Sequence, residues 1–127
     1  MQKIPVISIV DDDEAIRTAL QSLVRSLGYL SNAFASAEEF LDSPHVPETS
    51  CLITDVQMPG MNGIELQNRV KTLGFSTPVI FVTAFPDERI RARALEAGAI
   101  GFLNKPFDGR DLIKHIQMAL AGRDDRS

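Results

Sequence analysis

Ile4-Pro5-Val6-Ile7-Ser8-Ile9-Val10-Asp11-Asp12-Asp13 is a short apolar, β-branched run that stops abruptly in three aspartates. Ile16, Leu20, Leu23, Val24 and Leu27 then recur on one helical face, and Gly28 follows as a stop signal. A buried strand followed at once by an amphipathic helix is the building unit of an α/β fold. Four more apolar runs, at residues 30–35, 51–54, 79–83 and 100–103, are each bounded by polar or turn residues. Helical patterns follow them. Ser36-Ala37-Glu38-Glu39 reads as a capping box opening a short helix, and residues 44–47 as the loop after it. Asn62 is placed to cap a third helix carrying Ile64, Leu66, Val70 and Leu73, closed by Gly74. Pro86, Asp87 and Glu88 suit the first turn of a fourth helix ending near Gly98. Asp108 caps a fifth, whose apolar face is Leu112, Ile113, Ile116 and Leu120.

Five strand–helix units predict an α/β doubly wound sandwich, a (βα)5 fold with a parallel five-stranded sheet and right-handed crossovers. The flavodoxin-like strand order 2-1-3-4-5 suits that pattern. The chain has 127 residues, enough for one domain with a real core. That domain is expected at 1–121, with the polar, aperiodic stretch 122–127 as a linker-like tail.

Composition narrows the function. The chain is 44% apolar and 24% charged, as globular domains are. Net charge is -4, with 17 acidic against 13 basic residues, which disfavours nucleic-acid contact by this domain. The single cysteine, Cys51, lies inside an apolar run and reads as a small buried hydrophobe, so no internal disulfide is possible. The first apolar run is too short for a signal peptide, and none approaches the roughly 20 residues of a membrane span. The chain reads as cytoplasmic.

Ligands of open α/β sheets bind outside the carboxyl ends of the strands. Those ends carry Asp11-Asp12-Asp13, Asp55, Thr83-Ala84 and Asn104-Lys105-Pro106. Asp13 precedes the first helix and is expected as its N-cap, and Ser36 caps the second. Asp11 and Asp12, facing Asp55, would repel unless a cation sits among them, and oxygen-only ligands suit Mg²⁺. Three carboxylates, a divalent ion and the Lys105 ammonium together come near neutrality. A carboxylate is already ionised at neutral pH and needs no general base to act as a nucleophile. Phosphoryl transfer asks mainly for positioning and charge neutralisation. Asp55 is therefore the expected acceptor, with Lys105 and Thr83 meeting phosphoryl oxygens. His45 falls in a loop and His115 on a helix, so the donor must bring its own phosphate.

Val10-Asp11-Asp12-Asp13, Asp55-Val56-Gln57-Met58-Pro59-Gly60-Met61-Asn62-Gly63, Val82-Thr83-Ala84 and Gly98-Ala99-Ile100-Gly101-Phe102-Leu103-Asn104-Lys105-Pro106-Phe107 together match a known pattern. The chain closely resembles the receiver domain of two-component response regulators, most like the FixJ-type branch, from about residue 4 to 120. The resemblance implies that Asp55 is the phosphoacceptor, served by a sensor histidine kinase. It implies Mg²⁺ (or Mn²⁺) held directly by Asp12 and through water by Asp11, with the Gln57 backbone carbonyl completing the shell. It implies that the Ala84 amide assists Lys105 and Thr83, and that Lys105-Pro106 is cis. Thr83 and Phe102 take the places of the switch pair. Phe102 is often a tyrosine in the family, and a phenylalanine has no hydroxyl, so burial must carry the change of state. A phosphorylation-dependent homodimer through the fourth helix, fifth strand and fifth helix is implied. Control of transcription through a DNA-binding domain outside this chain is the expected output; a complete single-domain receiver acting by docking is the alternative. The pattern implies no catalytic turnover of an external substrate, only self-phosphorylation and autodephosphorylation.

Two other classes share parts of the pattern. A haloacid-dehalogenase-type phosphatase would place its nucleophile in an Asp-x-Asp after the first strand. Ala15 then stands where Thr or Val is expected, and no cap domain is present. A flavodoxin-like electron carrier needs a hydroxyl- and Gly-rich phosphate loop there, where Asp11, Asp12 and Asp13 would repel the flavin phosphate.

Overall fold

The computed structural model describes residues 3–124. Five strands, β1 (Val6–Val10), β2 (Leu30–Phe34), β3 (Cys51–Asp55), β4 (Val79–Thr83) and β5 (Gly101–Asn104), alternate with five helices. The helices are α1 (Glu14–Ser26), α2 (Ala37–Asp42), α3 (Gly63–Thr72), α4 (Glu88–Glu96) and α5 (Gly109–Asp124). All strand pairs are parallel, as the alternation predicted, and the order is β2-β1-β3-β4-β5, the flavodoxin-like order that suited the pattern.

Successive strand side chains point to opposite faces, and the two faces bury different layers. Val10, Leu52, Val79 and Phe81 join Phe40 of α2, Leu66 and Val70 of α3 and Ala94 of α4. Ile7, Ile9, Cys51, Ile53, Ile80 and Val82 join Leu20 and Val24 of α1 and Leu112 and Ile116 of α5. β3 and β4 are buried along their whole length, which is why they read as unbroken apolar runs rather than alternating ones.

The helix starts follow short-range hydrogen bonding. Asp13 accepts from the amides of Ala15 and Ile16. Asn62 and Glu65 form a complete reciprocal capping box at α3. Asp108 accepts from Arg110 N at 2.8 Å. Two expectations are corrected. At α2 Ser36 accepts from Glu39 N, but the return half of the box is not found among the described residues. At α4 the N-cap is Asp87, so Pro86 lies before the helix rather than in its first turn. Gly28, Gly74 and Gly98 close α1, α3 and α4 at φ 91°, 94° and 101°, the left-handed conformation that glycine adopts without steric cost.

β1 is shorter than the expected 4–10. Pro5 has no N–H to donate, although its carbonyl still accepts from Leu30 N at 3.0 Å. In the loop at 44–47, Val46 is buried, and Thr49 donates to His45 O while sharing a 2.6 Å bond with Ser8 of β1. α5 continues through residues 122–124 of the expected tail; residues 125–127 lie outside the described ones. No helix among the described residues is long and apolar enough to cross a membrane.

Candidate functional site

The parallel sheet brings the carboxyl ends of β1, β3, β4 and β5 to one rim, and the predicted residues meet there. Asp11 is 1% exposed and Asp55 7% exposed, while Asp12 is open to solvent. One carboxylate oxygen from each of the three lies within 4.8 Å of the others. Lys105 reaches in from just beyond β5. Its ammonium donates to Asp11 Oδ2 at 2.9 Å and to Asp55 Oδ2 at 3.2 Å.

The remaining carboxylate oxygens are held by backbone. Asp11 Oδ1 accepts from Asp13 N at 2.9 Å, and Asp55 Oδ1 from Gln57 N at 3.3 Å. Thr83 is fully buried at the end of β4, one residue beyond Val82, the register partner of Asp55. Its hydroxyl accepts from Phe85 N at 3.1 Å, which leaves its own proton free to donate. The Lys105 amide donates to Thr83 O at 2.7 Å, so the lysine and the threonine share one backbone link. The Lys105-Pro106 bond is cis, as the resemblance implied.

Burial, and next the neighbouring Asp11, push the Asp55 carboxyl above its ordinary value, against the pull of Lys105. Burial alone would lower Lys105, but the bonds and charges of Asp11 and Asp55 outweigh it and hold the ammonium above its ordinary value. Three carboxylates against one ammonium leave two negative charges, which a single divalent cation neutralises. The donors are all oxygens and Asp12 faces solvent, so a hard ion that retains waters fits.

Phe102 is half-buried on β5 and leans on Phe81, ring centroids 5.9 Å apart at 43°. It lines a surface cleft of about 400 Å³ with Pro86, Asp87, Glu88, Arg91 and Asn104. Asp13 and Ser36 cap helices, as expected, rather than joining the cluster. His45 pairs with Glu48 in its loop, and His115 packs its ring against Gly101 while bonding Asp111 O at 2.7 Å.

Two side chains that bear on the site had not been singled out. Arg17 of α1 donates to the Asp11 carbonyl at 2.7 Å, and Glu38 of α2 accepts from Met61 N at 3.0 Å. Arg17 carries a faint signal, a cation about one helical turn past the acidic triplet. Glu38 sits beside Glu39, the box residue three positions after Ser36, and nothing in the local sequence names its partner.

The sequence pattern of the response regulator receiver domain matches residues 7–117. The response regulator protein TodT of Pseudomonas putida is 43% identical over 115 residues, covering 91% of this chain and 51% of TodT. The transcriptional regulatory protein FixJ of Bradyrhizobium diazoefficiens is 36% identical over 114 residues, 90% of this chain and 56% of FixJ. The solved structure of the response regulator StyR superposes with a TM-score of 0.89 at 38% identity, covering 98% of this chain and 63% of that one. The chain thus spans about half the length of the curated relatives it matches. By motif, by topology and by the convergence of its strand ends, this chain belongs to the response regulator receiver domain family.

Proposed function

We propose that Asp55 accepts a phosphoryl group from a phosphohistidine of a sensor histidine kinase and that this chain is the switch of a two-component pathway. The observation that supports it most is the Lys105 ammonium bridging Asp11 and Asp55 inside a cluster of three carboxylates. A carboxylate oxygen of Asp55 attacks phosphorus and forms an acyl phosphate. The phosphorus–nitrogen bond of the donor breaks, and the leaving imidazole takes up a proton. Lys105 follows one phosphoryl oxygen as a point charge. Thr83 donates its hydroxyl to another, and the Ala84 amide to the same face.

Asp11, Asp12, Asp55 and the Gln57 carbonyl are the groups that would hold Mg²⁺ or Mn²⁺. When bound, the ion neutralises the carboxylates and the incoming phosphoryl charge. Small acyl phosphates serve as donors by the same chemistry, and water reverses it by autodephosphorylation.

The modified side chain carries about -2 charge, which draws Thr83 toward it. Phe102 then turns into the space behind Thr83, and the surface of α4, β5 and α5 changes shape. That surface is the proposed homodimer face of the activated form. Phosphorylation biases two pre-existing states by its differential interaction energy, so some activated form exists before it. The output is control of transcription through a DNA-binding domain beyond this chain; relatives about twice its length favour this over a receiver acting alone by docking. The compartment that fits a kinase partner and a transcriptional output is the cytoplasm.

Labelling with acetyl phosphate and Mg²⁺ tests the assignment. Wild type is expected to gain one acid-stable, base-labile phosphoryl group and Asp55→Asn none. A variant labelled as fully as wild type means another residue is the acceptor. Steady turnover of small phosphate esters with Asp11 as nucleophile would instead indicate phosphatase chemistry.

A further inference from the structure

Glu38 stands outside the acidic cluster and is exposed, yet its carboxylate is tied to the loop that leaves the site. Oε2 accepts from Met61 N at 3.0 Å across 23 positions of sequence. Met61 lies in the segment that carries the chain from Asp55 to the cap of α3. The segment is also held by Gln57 N to Asp55 Oδ1 at 3.3 Å, Gly63 N to Val56 O at 2.8 Å, the Asn62–Glu65 box and the Met58 side chain, which is buried in the core. Glu38 holds the stretch between that buried Met58 and the cap of α3.

Gly60 is shaped to this contact. Its φ is +76°, and a Cβ there would sit 2.6 Å from Glu38 Oε2. The Glu38 end is flexible, so a side chain at position 60 would displace the carboxylate and break the bond to Met61. Glu38 also lies in the first turn of α2, where free backbone N–H groups favour a negative charge. A charged acceptor on a backbone N–H makes a stronger bond than a neutral one.

We propose that Glu38 is a positioning residue for the pocket: by holding Met61 it fixes the 56–62 segment, and with it the Gln57 carbonyl, against Asp55. This rests on the reading of Asp55 as phosphoacceptor with the Gln57 carbonyl as an ion ligand. Glu38 touches neither the ion nor the phosphoryl group. Outer supports of this kind govern how well inner ligands are aimed.

The test uses the whole chain with Glu38→Ala and Glu38→Gln, reading Mg²⁺ affinity by calorimetry and Met61 amide exchange by NMR. Glu38→Ala is expected to weaken Mg²⁺ by about tenfold, the lower end for a lost outer support, and to release the Met61 amide to exchange. Glu38→Gln keeps a carbonyl acceptor but loses the charge, and is expected to fall between wild type and Glu38→Ala on both readouts. In a Gly60→Ala background, where the carboxylate is already displaced, Glu38→Ala adds no further loss. Wild-type affinity in Glu38→Ala, a Met61 amide still protected there, or a Gln variant as weak as Ala would each overturn the proposal. Should Glu38→Ala not fold, Gly60→Ala alone decides it: by displacing the carboxylate it is expected to weaken Mg²⁺ and release the Met61 amide, and wild-type values on both would overturn the proposal. Wild-type protein that neither binds Mg²⁺ nor is labelled defeats the functional reading itself. Normal wild-type behaviour with an indifferent Glu38 defeats only this inference.

Discussion

The Lys105 ammonium satisfies two buried carboxylates at once, so its loss leaves both uncompensated. Lys105→Ala is expected to destabilise the metal-free chain by ~3 kcal/mol, as breaking a buried pair does. Urea unfolding in chelator measures it, and a change below the error of the fit would show the pair to be dispensable. Asp55 works in the other direction. Its carboxyl is held above the 3.8 of a free aspartate, so the folded state binds that proton more tightly than the unfolded chain. The stability it contributes is present at low pH and is lost as pH rises from the unfolded value through the folded one. Without metal, Asp55→Asn should therefore become more stable than wild type as pH is raised through that window to neutrality. Equal curves at acid and neutral pH would contradict the assignment. The residues of the site were legible because strand ends of a parallel sheet must converge, which puts Asp11, Asp12, Asp55, Thr83 and Lys105 on one rim. Arg17 and Glu38 were not, because each acts on a backbone atom of a different element. A hydrogen bond between α2 and the segment after β3 leaves no periodic trace in either.

Among the elements, the junction of β3 with α3 is the tightest constraint on the site. A Cβ at Gly63 would lie 2.2 Å from the Asp55 carbonyl oxygen and 3.1 Å from Phe81, so nothing larger than hydrogen fits. Gly63→Ala is expected to cost ~2 kcal/mol through the forced shift and to slow labelling of Asp55, because the overlap falls on its own peptide. Gly109 at the start of α5 meets nothing within 4 Å, and Gly109→Ala should leave labelling intact while stabilising the chain by ~0.5 kcal/mol. Parallel labelling and thermal melts of the two variants separate a steric from a generic glycine effect. The elements themselves were readable because five apolar runs alternate with amphipathic helices and because capping residues sit at fixed offsets. Their ends were less so. Pro5 trims β1 through its missing donor, and Asp87 takes the cap of α4 so that Pro86 falls before the first turn, which depends on a side-chain rotamer rather than on composition.

For the molecule as a whole, the site couples ion binding to folding, since the three carboxylates come together only in the native sheet. Mg²⁺ at a hundred times its dissociation constant should add ~2.7 kcal/mol to stability. Asp12→Asn, exposed and away from the Lys105 pair, should leave metal-free stability within ~0.5 kcal/mol of wild type yet remove most of that gain. Melting curves with and without Mg²⁺ measure both quantities, and an undiminished gain in Asp12→Asn would take that residue out of the ion's shell. Lys105 lies 94 positions from Asp11 and 50 from Asp55. A chain emerging from the ribosome thus presents Asp11 and Asp55 long before the lysine that bridges them. A copy that stops before residue 105 therefore keeps its carboxylates together, if at all, without the cation that bridges them.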